Sequence, residues 1–274
     1  MRQTLLTEYR KLVTTRMWWI LLLCMAGYMI FLGAVMAFVL TGPDAQGAVS
    51  PGFGSSQPAP PLDAQTVART IYTLAPSLGY VFPVIVGALS MTGEFRHMTV
   101  TPTFLAEPRR SRVLVAKLLA AVPLGVLFGL VGTASTVLGG APVLALRHSQ
   151  TFLGDASMLR TLALCVVALA VWGMVGVGFG AAIPNQVAAV VVLLAFTQFV
   201  EPIVRIGLTM SDRTAGIAKY LPGAAGEAIT GSSFYASSGL GELLPAALGL
   251  TVLLGYGLLL AAVGGLTTIR RDIT

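Results

Sequence analysis

The sequence predicts an all-helical membrane protein of six spans, and two observations carry that class. Hydrophobic residues make up 55% of the 274-residue chain against 10% charged, with a mean hydropathy of +0.84, which is more apolar surface than a soluble domain of this length needs for its core. These residues also fall into six continuous runs, at 17–40, 70–91, 114–138, 160–183, 187–208 and 243–266. Each is close to the roughly 20 residues that a helix rising about 1.5 Å per residue needs to cross about 30 Å of hydrocarbon. Strands of an outer-membrane barrel would alternate over about 10 residues, and these runs do not alternate.

The elements follow in order. In the leader, 1–16, residues Leu5, Leu6, Tyr9, Leu12 and Val13 share one side of a 3.6-residue helix while Glu8, Arg10 and Lys11 fall elsewhere. That pattern fits a short helix on the membrane surface, with a frayed basic leader as the alternative. The first run is too long for a cleaved signal peptide, so the mature protein is expected to keep it. The connection 41–69 is so rich in Gly and Pro that a mobile outer loop is expected. Spans four and five are joined by little more than Pro184, Asn185 and Gln186, which predicts an antiparallel hairpin that moves as a unit. The stretch 209–242 holds two semi-apolar pieces, 214–221 and 224–229, separated by Pro222 and Gly223. It reads either as short helices dipping into the outer membrane face or as a surface loop with helical turns.

Orientation comes from lysine and arginine. With six spans and the N-terminus in the cytoplasm, Arg2, Arg10, Lys11, Arg16, Arg96, Arg109, Arg110, Arg112, Lys117, Arg270 and Arg271 lie inside. Arg69, Arg147, Arg160, Arg205, Arg213 and Lys219 lie outside, so the positive-inside rule places both termini in the cytoplasm. The net charge of +6 is then a topology signal, since no basic patch is interleaved with aromatics for nucleic acid.

Catalysis is not expected. No serine nucleophile lies in a span with a histidine facing it, and His97 and His148 are both in loops. Glu201 is the one acid well within a run, so a pair of intramembrane carboxylates is missing. A phosphate-binding G-x-x-x-x-G-K-S/T sequence needs Gly before Lys, whereas Lys11, Lys117 and Lys219 follow Arg, Ala and Ala. The two histidines fall on opposite sides of the membrane without ligand-spaced acids or cysteines, so no metal or cofactor is expected in this chain. Cys24 and Cys165 lie in spans and read as packing residues rather than a disulfide.

The segment from Met91 to Lys117, MTGEFRHMTVTPTFLAEPRRSRVLVAK, concentrates Glu94, Arg96, Glu107, Arg109, Arg110, Arg112 and Lys117 between two apolar runs, with the breakers Pro102 and Pro108 among them. It reads as a docking loop for a cytosolic partner, containing a short helix around Thr99 to Ala106. A solvated basic loop would explain the arginines, yet Glu94, Phe95 and the threonine strip are not needed for topology. This segment, with VEPIVRIGL, KYLPGAAGEAI and a last span ending in a basic tail, resembles the six-span permease subunits of ATP-binding-cassette exporters, the type 2 export family. The likeness covers most of the chain, with one departure: Met98 stands where such permeases usually have Gly after the His.

The resemblance implies a homodimer of permeases served by two copies of a separate ATPase subunit, which would hold the ATP and Mg. It implies that the loop between spans two and three docks into that ATPase through a coupling helix, with Glu94, Phe95, Arg96, His97, Thr99, Thr103, Pro108, Arg109 and Arg110 as docking residues. Gly125 and Gly129, and Gly176 and Gly180, have the spacing that lets helix backbones approach, inside the chain or at the homodimer seam. Glu201 lies deep in the fifth run, where a lone carboxylate costs about 2.5 to 3.5 kcal/mol. Arg205, four residues on, is its expected partner across Pro202, and the three form either an outer gate or substrate path, or a self-neutralised anchor. The expected function is therefore export of a hydrophobic or amphipathic compound across the inner membrane. The alternatives are a membrane anchor that recruits a cytosolic partner without transport, and a secondary transporter, which would want several intramembrane charges and an internal repeat.

Overall fold

The computed structural model describes residues 2–42, 63–233, 236 and 242–268. Of the expected outer loop over 41–69, residues 43–62 lie outside them, as do the tail with Arg270 and Arg271 and residues 237–241, while 64–69 are helical rather than loop. Among the described residues every regular element is helical, and six helical stretches are long and apolar enough to cross a membrane. The protein is an all-α, multi-pass membrane protein.

The leader is α1 (Arg2–Thr14), followed after Thr15 and Arg16 by α2 (Met17–Leu40). Helix α1 is not frayed. It lies against the third span with Glu8 turned inward and buried, while Leu6, Tyr9 and Val13 are exposed on the other side, as a helix on a membrane surface requires. The second span is longer than the apolar run and has three parts: α3 (Ala64–Tyr72), a π-helical turn (Ala75–Gly79) and α4 (Val81–Arg96). Its start escapes a hydropathy reading because α3 is amphipathic, burying Val67, Ala68, Ile71 and Tyr72 while its polar side faces out.

A short helix α5 (Val100–Ala106) leads to α6 (Arg110–Leu146), the third span. Pro102 does not break α5: it sits in the first turn, where a backbone N–H has no intrahelical partner to lose. Helix α6 likewise continues through Pro123 and Pro142, well past the predicted end at 138. The fourth span is α7 (Ala156–Ala182). The fifth comprises α8 (Gln186–Ala195), a second π-helical turn (Phe196–Val200) and α9 (Glu201–Thr209). Two short helices, α10 (Asp212–Ala218) and α11 (Pro222–Thr230), precede the sixth span α12 (Ala246–Thr267).

Helix α7 is the centre of the bundle. Helices α4, α6 and α12 pack along it, and α11 leans on it beside Trp172. Small residues make these approaches possible: a Cβ on Gly125 would fall 2.7 Å from the Ala170 Cα, and one on Gly129 2.8 Å from the Val166 Cα. Gly176 and Gly180 press in the same way on Val84 and Ala88 of α4. All four glycines therefore serve contacts within the chain, which answers whether they form a seam between copies.

The hairpin expectation needs correction. Asn185 caps α8 by accepting from the Ala188 N–H at 3.0 Å, so the turn is tight, but α8 then leans on α4 rather than running along α7. The fifth span is thus peripheral, exposing Val187, Val191, Phe199 and Ile203, and α2 and α12 are similarly open with Phe31, Phe38 and Leu258. These faces suit lipid.

Candidate functional site

Helix α4 ends in a motif that sets up everything after it. Thr99 N–H donates to Glu94 O at 2.9 Å and Met98 N–H to Phe95 O at 3.3 Å, the paired bonds of a Schellman cap. Such a cap puts its turning residue in the left-handed region, and Met98 is there with φ +55°. The departure from the expected Gly therefore leaves the turn intact, with a Cβ where glycine would be unstrained. The reversal starts α5 at once, with Thr99 as its N-cap residue.

Behind this turn lies a charge cluster inside the protein. Lys117 Nζ donates to Glu8 Oε2 at 2.5 Å, Glu94 Oε1 at 2.9 Å and Ser90 O at 3.3 Å. Lys11 Nζ donates to Glu8 Oε1 at 2.7 Å, Glu94 Oε1 at 2.8 Å and Thr103 Oγ1 at 3.1 Å. Two ammoniums and two carboxylates thus tie α1, α4, α5 and α6 together. The Lys117, Glu8 and Glu94 side chains are 4%, 3% and 9% exposed, so removing one leaves the cluster with an uncompensated net charge in low dielectric. At Lys11, burial pulls the pKa down, but hydrogen bonds to and the charges of Glu8 and Glu94 outweigh it and hold the ammonium above its ordinary 10.5.

This geometry divides the nine residues read as docking. Glu94 is buried and its carboxylate is turned to the two lysines, so it is a structural charge and not a loop charge free of the spans. Phe95 packs beside the Met91 and Leu114 cluster, and Thr103 receives Lys11. Arg110 lies over the Phe104 ring at 5.2 Å. Arg96, His97, Thr99, Pro108 and Arg109 are exposed; of these, Arg96 reaches the Gln186 side chain at 3.2 Å. The front of α5 is open too, with Leu105 79% exposed.

The second site lies near the opposite end. Glu201 and Arg205 are both buried, but their expected pairing is not the main contact of either. Arg205 Nη1 meets Glu227 Oε2 at 2.7 Å, and Glu201 Oε1 accepts from the Gly223 N–H at 2.5 Å. The reason is α11, which the bundle buries from Gly223 to Thr230. Its N-terminus, opened by Pro222, faces Glu201 and offers amides with a partial positive charge. Glu201 thus caps a helix it does not belong to, which frees Arg205 to reach Glu227. Ser233 Oγ adds a 2.5 Å bond to Glu227. Pro202 sits in the first turn of α9, directly after the π-helical turn. The cavity there is about 30 Å³, room for water and little more.

Sequence reading missed Glu8, Lys117 as a buried residue, and Glu227. Lys117 carried a signal, since it follows Leu114 and precedes a long apolar run, where an ionisable group needs a partner. Glu227 carried none, because Arg205 is 22 residues away, and for Glu8 the sequence offered only Lys11 three residues on, since Lys117 is 109 residues away. Among the described residues no three His, Cys, Asp or Glu side chains gather as metal ligands. Compared with protein-family models and with curated proteins, the chain gives no match.

Proposed function

We propose that this chain is the membrane-spanning permease subunit of an ATP-binding-cassette exporter, moving a hydrophobic or amphipathic compound with ATP hydrolysed by a separate subunit. The observation that carries this reading is α5. It is a short helix between spans two and three whose front, with Thr101, Pro102 and Leu105, is open, while Thr103 behind it is bonded into the buried charge cluster. A basic loop that only satisfied topology has no use for such anchoring. Because Lys11 and Lys117 grip three helices besides α5, a displacement of α5 is transmitted to α1, α4 and α6 as one body.

In this proposal two permease copies face two ATPase copies, which bind the ATP and Mg, and both termini lie on the cytoplasmic side of the inner membrane. Exposed Arg96, His97, Thr99, Pro108 and Arg109 rim the docking face. Glu201, Pro202 and Arg205 belong to an outer closure in which α11 is held by a carboxylate at its N-terminus and an ion pair at Glu227. Co-expression with ABC ATPase subunits tests the proposal. The ATPase should co-purify, and hydrophobic compounds should stimulate its turnover. Co-purification without stimulation by any compound favours the anchor reading, and failure of every ATPase to associate removes the proposal.

A further inference from the structure

Between α1, the start of α2 and the last turns of α4 lies a half-open cavity of about 460 Å³. That is within the range of pockets that take drug-sized molecules, about 300 to 1,000 Å³. Leu12, Trp18, Val86 and Leu89 give it apolar walls, and Glu94 and Lys117 line its polar end.

The hydrogen-bond inventory of that end decides what it accepts. An ammonium has three donors. Lys11 commits its three to Glu8, Glu94 and Thr103, and Lys117 commits its three to Glu8, Glu94 and Ser90. An anionic head would find no free donor on either. On the acceptor side, Glu94 Oε1 takes both lysines, whereas Oε2, buried in the wall, has no hydrogen-bond partner among the described residues. The side chain is 9% exposed and that oxygen is itself covered, so a head group meets it through a turn of the carboxylate toward the cavity, which supplies a donor to an oxygen that has none. The cavity also adjoins the C-terminal turn of α4, whose carbonyl end favours a cation.

We infer that this cavity binds an amphiphilic amine, with a protonated, N–H-bearing head at Glu94 and an apolar body between Trp18 and Leu89. The inference stands on the cavity alone and does not rest on docking by α5. The amine has two sources with shared chemistry: an aminophospholipid of the adjoining leaflet, or a free amphipathic amine. A quaternary ammonium lacks the N–H donor and is excluded.

The test uses the full chain in phosphatidylcholine nanodiscs with dansylcadaverine, a fluorescent primary amine, read by energy transfer from tryptophan. Gly93 lines the cavity, and a Cβ there meets nothing within 4 Å, so Gly93→Leu fills the space without a backbone clash and leaves the charge cluster in place. Saturable transfer is expected in the wild type. Affinity should fall by about tenfold or more in Gly93→Leu, in Glu94→Gln, and for the N-acetylated probe, which has lost its charge. Equal affinity for the acetylated probe overturns the inference, as does an unchanged affinity in a Gly93→Leu protein that elutes as the wild type does. Displacement of the probe by nanodiscs containing phosphatidylethanolamine assigns the site to a lipid head, and retention assigns it to a free amine.

Discussion

Met98 holds a left-handed backbone that glycine adopts without strain, at the turn that launches α5. Its side chain is 75% exposed and gains little by packing. Met98→Gly should therefore stabilise the protein by up to about 1 kcal/mol, seen as a raised thermal midpoint in detergent, and a lowered midpoint would mean that the methionine makes contacts of value. Arg205 supports a sharper experiment. Glu227→Gln strips its ion-pair partner and should cost about 3 to 5 kcal/mol, and the double variant with Arg205→Gln should cost less than the two singles together. Strict additivity in that cycle would contradict the pair. At this scale the sequence showed that Glu201 was out of place in lipid but not what it touches, and it did not show Glu8, Lys117 or Glu227 as buried charges. Helical spacing offered Arg205 to Glu201, and the α11 amides, which no spacing rule can see, took the carboxylate instead.

Elements were more legible than residues. Six apolar runs gave six spans, and Pro108 and the threonine strip marked a short helix that is present at Val100–Ala106. Ends were read less well because hydropathy stops where charge begins, whereas α4 carries its helix on to Arg96 once Glu94 has two lysines to meet. The hairpin of spans four and five failed for a related reason, since a short turn fixes where α8 starts but not the helix it packs on. Packing between elements rests on glycine at the crossings, and this too can be measured. Gly176 in α7 presses on the Val84 backbone, so Gly176→Leu should force α4 and α7 apart and cost about 1 to 3 kcal/mol of stability. Gly216 in α10 has open space around it, so Gly216→Ala should be neutral or slightly stabilising. Equal effects of the two would mean that the α4–α7 approach is looser than described.

For the whole molecule, three spans separate the α5 end from the α10–α11 end, which puts them on opposite sides of a membrane, and the proposed function has the α5 end in the cytoplasm, as the lysine and arginine distribution predicts. Single cysteines at Gln150 and at Ser111, both exposed, in a chain lacking Cys24 and Cys165, report this directly. An impermeant thiol reagent added to intact cells should label the first and spare the second, and the reverse pattern would invert the orientation. In the proposed function the open face of α5 receives an ATPase while the charge cluster behind it carries the load. Leu105 is the probe, being 79% exposed and outside the cluster. The most direct measurement is the amount of ABC ATPase subunit that co-purifies with Leu105→Glu relative to wild type, at equal membrane level and equal thermal midpoint. A fall of about tenfold or more is expected, since a charge would then be buried in the contact. Undiminished ATPase recovery with this variant would contradict docking through α5.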